Sequence, residues 1–109
     1  MAELHELDCS GKVDRLTDDE IGNHLDNIDD GWKVNEDGSS LHRDFVLGNY
    51  DETLTLVNLI AGIAIQQDHH PDISFGYRNC AVTWSTHSVD GLSINDFICA
   101  ARIDRATAE

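Results

Sequence analysis

The chain has 109 residues, 21 acidic against seven basic side chains, a formal net charge of −14, and 40% hydrophobic residues. This is enough chain for one domain with a single core, and the ordinary apolar fraction argues against disorder. So acidic a surface repels phosphate backbones, which argues against direct nucleic-acid binding, and the longest apolar run, Leu59 to Ile65, is far too short to span a bilayer.

Residues 1–14 are expected to form a less ordered N-terminal segment of a single domain covering 1–109. The start, Met1-Ala2-Glu3-Leu4-His5-Glu6, has no basic region or apolar stretch. That argues against a secretory signal and for a cytoplasmic protein. Thr17-Asp18-Asp19-Glu20 then has capping-box spacing, with Leu16 and Ile21 placed as a hydrophobic staple. Ile21, Leu25 and Ile28 recur at helical spacing, which predicts a first helix over about 18–28. Asp29-Asp30-Gly31 ends it. Trp32 to Val34 and Leu41 to Leu47 read as strands across the turn Asn35-Glu36-Asp37-Gly38, with Leu41, Phe45 and Leu47 on one face.

Glu52 to Asp68 is the longest helix candidate, and apolar residues surround almost its whole circumference. One sheet cannot bury every face of such a helix, so its outer face is expected to meet another subunit. Ile73 to Tyr77 and Cys80 to Thr86 form a hairpin around Arg78-Asn79. A last helix begins near Ser93, with Ile94, Phe97, Ile98 and Ala101 as its apolar stripe. The order αββαββα makes an α+β fold the simplest solution: a four-stranded antiparallel sheet covered on one face by three helices. Three cysteines without CxxC spacing fit neither a disulfide framework nor a zinc ribbon. Cys80 and Cys99, in apolar periodic segments, read as small packing hydrophobes.

The chemistry concentrates in His69-His70-Pro71 followed by Tyr77, His87 and Asp96. Imidazole exchanges a proton near neutral pH, so the cluster points to proton transfer or to a metal site. His69 and His70 fall where the long helix stops before proline, and as an isolated pair they would read as cations capping its negative end. His87 is harder to absorb that way. Strand alternation places it with Ala81, Thr83 and Ser85, opposite the inward Cys80-Val82-Trp84 face, so it should be accessible. Asp96 is the fourth residue of Ser93-x-x-Asp96 and reads equally as half of a capping box or as an orienting partner for an imidazole. Tyr77, Trp84 and Trp32 also have plain structural readings as strand or core aromatics. Adjacent histidines without HxH or HxxxH spacing disfavour a three-histidine zinc site, so neither a metal nor a cofactor is expected.

The spacing His-His-Pro-x5-Tyr-x9-His-x8-Asp resembles the signature of the pterin-4a-carbinolamine dehydratases. The resemblance runs from about Leu16 to Asp104, taking in Gly31-Trp32, Phe45 and Gly91-Leu92-Ser93. It implies the same four strands and three helices, and removal of water from a 4a-hydroxytetrahydropterin to give a quinonoid dihydropterin. On that pattern His69 and His87 carry the proton transfers, with acid and base not assigned. His70 positions the pterin, Asp96 fixes imidazole orientation, and Pro71 and Tyr77 complete the substrate-binding set. It further implies a homotetramer or homodimer and a place in tetrahydropterin recycling after aromatic amino acid hydroxylation. The alternative is a catalytically weak member acting as an interaction or dimerisation module, since some relatives bind a homeodomain transcription factor. One position departs from the family pattern: Ile65 stands where a carboxylate is usual, one helical turn before His69.

The acidity has two readings, a merely solvated surface or adaptation to a high-salt cytoplasm. Under the second, screening should relieve the self-repulsion, because the Debye length falls from roughly 10 Å at 0.1 M to about 3 Å at 1 M salt. The thermal midpoint is then expected to rise on going to molar potassium chloride. At matched moderate ionic strength it should rise in both sodium chloride and sodium perchlorate, whereas salting-out of apolar surface would help only with chloride. An unchanged or lower midpoint in molar potassium chloride removes the high-salt reading.

Overall fold

A computed structural model of the chain describes residues 3–108. Three helices, α1 (Asp18–Leu25), α2 (Tyr50–Gln67) and α3 (Ile94–Thr107), accompany four strands, β1 (Lys33–Val34), β2 (Leu41–Val46), β3 (Asp72–Phe75) and β4 (Asn79–Trp84). The strands form one antiparallel sheet in the order β1-β2-β4-β3, so the α+β architecture expected from the pattern is the one found. Chain connectivity explains the order. β1–β2 and β3–β4 are hairpins, and α2 carries the chain from β2 to β3 so that β4 pairs back onto β2.

Register sets which residues face the helices. Leu41 pairs with Trp84, Arg43 with Val82 and Phe45 with Cys80. Because alternate side chains share a face, these six form the covered surface. Leu41, Trp84, Val82 and Cys80 are buried there with Ile60 of α2 and with Phe97, Ala100 and Ile103 of α3. Arg43 is the polar exception. It bonds Asp104 at 2.7 Å, Asp104 also accepts the Trp32 indole N–H at 2.8 Å, and the guanidinium lies 4.3 Å from the Phe45 ring centre. The polar groups of that cluster thereby find partners while Trp32 stays buried.

The helix ends differ from the periodic reading in instructive ways. α1 has the expected capping box, Thr17 Oγ1 accepting from Glu20 N and Glu20 from Thr17 N, but stops at Leu25 while Ile28 still packs on the core from a turn. α2 starts two residues before Glu52 because Asn49 caps it, its Oδ1 accepting from Glu52 N at 2.9 Å. β3 and β4 are shifted and shortened around a turn closed by Gly76 N donating to Asn79 O. Residues 4–10 lie against α3. Arg102 donates to Leu7 O at 2.7 Å, and Ser10 exchanges two hydrogen bonds with the Asn95 side chain. Among the described residues no helix is long and apolar enough to cross a membrane.

Candidate functional site

The site is built where α2 ends, β4 ends and α3 begins. α2 closes on its own main chain: Asp68 N donates to Ile65 O and His69 N to Ala64 O, with Asp68 in the left-handed region at φ 51°. This paired bonding is the Schellman termination, with an aspartate where glycine is usual and a proline soon after. The imidazoles are therefore not needed to cap the helix. His69 is instead turned toward α3, and its Nε2 lies 2.6 Å from Asp96 Oδ1.

Asp96 is wholly buried, and its two oxygens divide the work. Oδ1 takes the imidazole, while Oδ2 accepts from Thr86 Oγ1 at 2.8 Å and from Ser93 N at 3.0 Å. The Ser93 bond is the capping box of α3. One carboxylate thus serves as helix cap and imidazole partner, the two roles its spacing left open. Thr86 and Ser93 hydroxyls are 2.8 Å apart, which completes a polar knot inside an apolar shell. The other face of His69 is defined by Trp84, whose ring is stacked at 5.4 Å with an interplanar angle of 11°. Trp84 Nε1 is buried without a partner among the described residues, so the site uses the indole's face rather than its donor.

His87 opens a short 3-10 turn (His87–Val89) just after Thr86 and is exposed. Its backbone carbonyl accepts from Asp90 N, while Thr86 and Gly91 pair across the turn. It lines a small polar concavity of about 170 Å³ with Ser39, Ser40, Ser85, Thr86, Asp90 and Gly91. His69 and His87 therefore reach the same structural junction along different routes, one through Asp96 and one as the chain neighbour of Thr86. His70 is exposed, and Pro71, half-buried, leads directly into β3. A larger concavity of about 950 Å³, between the N-terminal turn and the ends of α1 and α3, contains none of these residues.

Within one chain Tyr77 is not brought to this cluster. It is exposed at the β3–β4 turn, edge-on to Tyr50 at 6.1 Å, with its carbonyl accepting from Thr53 Oγ1. Tyr50 and Thr53 open α2, whereas His69 follows its end. The 18-residue helix between them is about 27 Å long at 1.5 Å per residue. Within a single protomer Tyr77 and His69 thus lie at opposite ends of α2, because the β3–β4 turn carries Tyr77 back to the start of the helix. Among the described residues, the groups close enough to share one cation are Glu3, His5 and Glu6, not the histidines of the motif.

The sequence reading missed Thr86. The signal was present: extending the Cys80-Val82-Trp84 alternation puts position 86 inward, and a buried hydroxyl needs a partner. It also missed Cys9, whose backbone N–H donates to Gln67 Oε1 at 2.7 Å and whose thiol lies 3.6 Å from that of Cys99. No local pattern relates residues ninety positions apart.

Electrostatically, burial opposes protonation of His69, but the hydrogen bond to Asp96, the Asp96 charge and the Cys9 charge together outweigh it. Its pKa is raised above the ordinary imidazole value of 6.5. The imidazolium is thus stabilised near neutral pH by a fixed anion, as suits a proton donor.

The family profile described as pterin 4 alpha carbinolamine dehydratase matches residues 14–106. A protein of Nitrosomonas eutropha provisionally named pterin-4-alpha-carbinolamine dehydratase is 43% identical over 96 residues, covering 88% of this chain and 83% of its own. A Legionella pneumophila protein with the same provisional name is 41% identical over 105 residues, covering 96% and 93%. The crystal structure of a transcriptional coactivator/pterin dehydratase from Brucella melitensis superposes with a TM-score of 0.79 at 27% identity, covering 84% of this chain and 97% of the other. A pterin dehydratase-like protein described as a RuBisCO assembly factor of the alpha-carboxysome shares the fold, with a TM-score of 0.62, 21% identity and coverage of 72% and 92%.

The substitution Asp96→Asn tests the electrostatics. The amide would keep the size of the side chain but remove both the anionic acceptor and the charge. Burial would then dominate, and the His69 pKa is expected to fall below 6.5. A histidine-ring NMR titration checks this; an unmoved His69 pKa would show that Asp96 does not set it.

Proposed function

The chain belongs to the pterin-4a-carbinolamine dehydratase family, and on that premise we propose that it dehydrates a 4a-hydroxytetrahydropterin to the quinonoid dihydropterin, in tetrahydropterin recycling. The observation that carries this reading is the His69–Asp96 pair, 2.6 Å apart, with Asp96 buried and held by Thr86 and Ser93. With Nε2 engaged by the carboxylate, Nδ1 is the nitrogen left to exchange a proton with substrate. Dehydration needs one proton delivered to the departing hydroxide and one removed from a ring nitrogen. His69, with its raised pKa, acts as the acid. His87, exposed in the adjoining turn, acts as the base. His70, next to His69 in the chain and exposed, hydrogen-bonds the pterin. The setting inferred for this work is the cytoplasm, in the wake of an aromatic amino acid hydroxylase.

His69→Ala and His87→Ala are each expected to lower dehydration of freshly generated 4a-hydroxytetrahydropterin by about 10²-fold or more, the usual contribution of a positioned acid or base. His70→Ala should act mainly on KM. Wild-type turnover in both the His69 and His87 variants would end this assignment.

A second reading, that of an interaction module, is favoured by one residue. Ile65 is 76% exposed on α2 and stands where the family pattern has a carboxylate. It continues a half-covered apolar stripe of Leu54, Val57 and Ala61 at helical spacing. The description of a protein of this fold as a RuBisCO assembly factor supports assembly roles for the architecture. We propose that a second copy of the chain covers this stripe, giving a homodimer or a homotetramer. Light scattering should return a multimer mass for the wild type and a smaller one for Ile65→Lys, with circular dichroism unchanged. A wild-type monomer at micromolar concentration and high salt would refute the assembly.

A further inference from the structure

We propose that Cys9 and Cys99 form a reversible redox pair: their disulfide would tie the N-terminal segment to α3 behind the His69–Asp96 pair. The two sulfurs are 3.6 Å apart, against about 2.05 Å in a disulfide, so a combined displacement of roughly 1.5 Å closes the bond. The surroundings hold the approach in place. Cys9 N is bonded to Gln67 at the end of α2, Cys9 Sγ lies 3.6 Å from Asn95 O, and the next residue, Ser10, is bonded twice to the Asn95 side chain. Cys99 follows Asn95 by one helical turn and Asp96 by three positions, so the thiol and the carboxylate lie on the same side of α3.

The two sulfurs are not equivalent. Cys9 is partly exposed and Cys99 fully buried. The hydrogen bond from Cys99 lowers the Cys9 pKa against the opposing effect of burial, with further help from the charges of His69 and Arg102. That same bond, together with burial, raises Cys99 far above the ordinary thiol range. Cys9 is therefore the thiolate nucleophile and Cys99 the resolving thiol. Cys80 is buried across the sheet from Phe45 and is held protonated by burial.

The oxidant is hydrogen peroxide. The Cys9 thiolate attacks one peroxide oxygen, forming an S–O bond as the O–O bond breaks, and hydroxide leaves. Sulfenylation removes the thiolate to which Cys99 was bonded. The Cys99 sulfur then displaces the sulfenic oxygen, forming the S–S bond, and that oxygen leaves as water carrying the Cys99 proton. With hydrogen peroxide the hydroxide takes up the proton Cys9 lost on ionising. Overall two thiols give up two electrons and two protons, and the peroxide becomes two waters. A small-molecule thiol reverses the bond by exchange, as expected for a sensing rather than a structural disulfide. Oxidation also removes the Cys9 charge that helps keep His69 protonated.

The test treats the native full chain with hydrogen peroxide, alkylates the remaining thiols and maps peptides after cleavage at Trp84 or Phe97, which separates Cys80 from Cys99. The expected result is a Cys9–Cys99 cross-linked peptide, Cys80 still a free thiol, and full reversal by dithiothreitol. Cys9→Ser should abolish the cross-link while folding normally by circular dichroism. A histidine-ring NMR titration should show a lower His69 pKa in the oxidised protein than in the reduced one. Progression of Cys9 to sulfinic acid with Cys99 still reduced, or a Cys9–Cys9 link between chains, would overturn the pairing. A cross-link that leaves the His69 pKa unmoved would overturn its effect on the site. None of these readouts depends on dehydratase activity.

Discussion

A carboxylate with no exposure to solvent is the constraint on which the rest of this structure depends. Asp96 is 0% exposed, and a charge in that position is tolerable only when its oxygens are fully engaged. Its partners come from three separate elements: His69 beyond the end of α2, Thr86 beyond the end of β4, and Ser93 at the start of α3. Satisfying one carboxylate therefore fixes how two helices and the central strand meet. The relative placement of the imidazole and the His87 turn follows from that meeting.

The surroundings of the knot explain why it can be both rigid and reachable from solvent. Below it lies the apolar layer of Leu41, Val82, Trp84, Ile60 and Phe97, which excludes water and strengthens every charge–dipole contact above it. Trp84 contributes a flat wall that limits rotation of the His69 ring. On the solvent side His87 and His70 are both exposed, so a small molecule can reach them without disturbing the core. This combination of a fixed, charge-biased donor and an open approach is what the proposed general acid requires.

The same junction links the surface of α2 and the N-terminal segment to the site. α2 buries Leu56, Ile60, Ile63 and Ala64 on the sheet side and leaves Ile65 outward, one residue along from Ala64. Ala64 and Ile65 also supply the carbonyls that close the helix before His69, so whatever covers Ile65 sits against the backbone that aims the imidazole. Cys9 approaches from the other chain end, held by Gln67 and Asn95. Both features lie one step from the His69–Asp96 pair, where the proposed covering subunit or the proposed thiol oxidation would act on His69.

Much of this was legible in the chain. Helical and alternating periodicities are local properties, and they were enough for the element order, the antiparallel sheet and the inward face of β4. Capping spacings placed the starts of α1 and α3, and the His-His-Pro, His87 and Asp96 spacing carried the family. Element ends were less legible, because Asn49 and the Asp68 turn act through single hydrogen bonds that no periodicity records. The site itself was legible only in part. Sequence spacing offered Asp96 as a helix cap or as the partner of an imidazole, but it could not say that the carboxylate does both or that the imidazole is His69. It could not show that Thr86 shares that carboxylate, that Cys9 meets Cys99, or that Tyr77 lies at the far end of α2. Residue type and short-range pattern thus determined which elements form and which side chains are candidates for chemistry. Which of those side chains touch was decided by tertiary structure alone, because a buried charge draws its partners from wherever packing brings a donor within reach, regardless of separation along the chain.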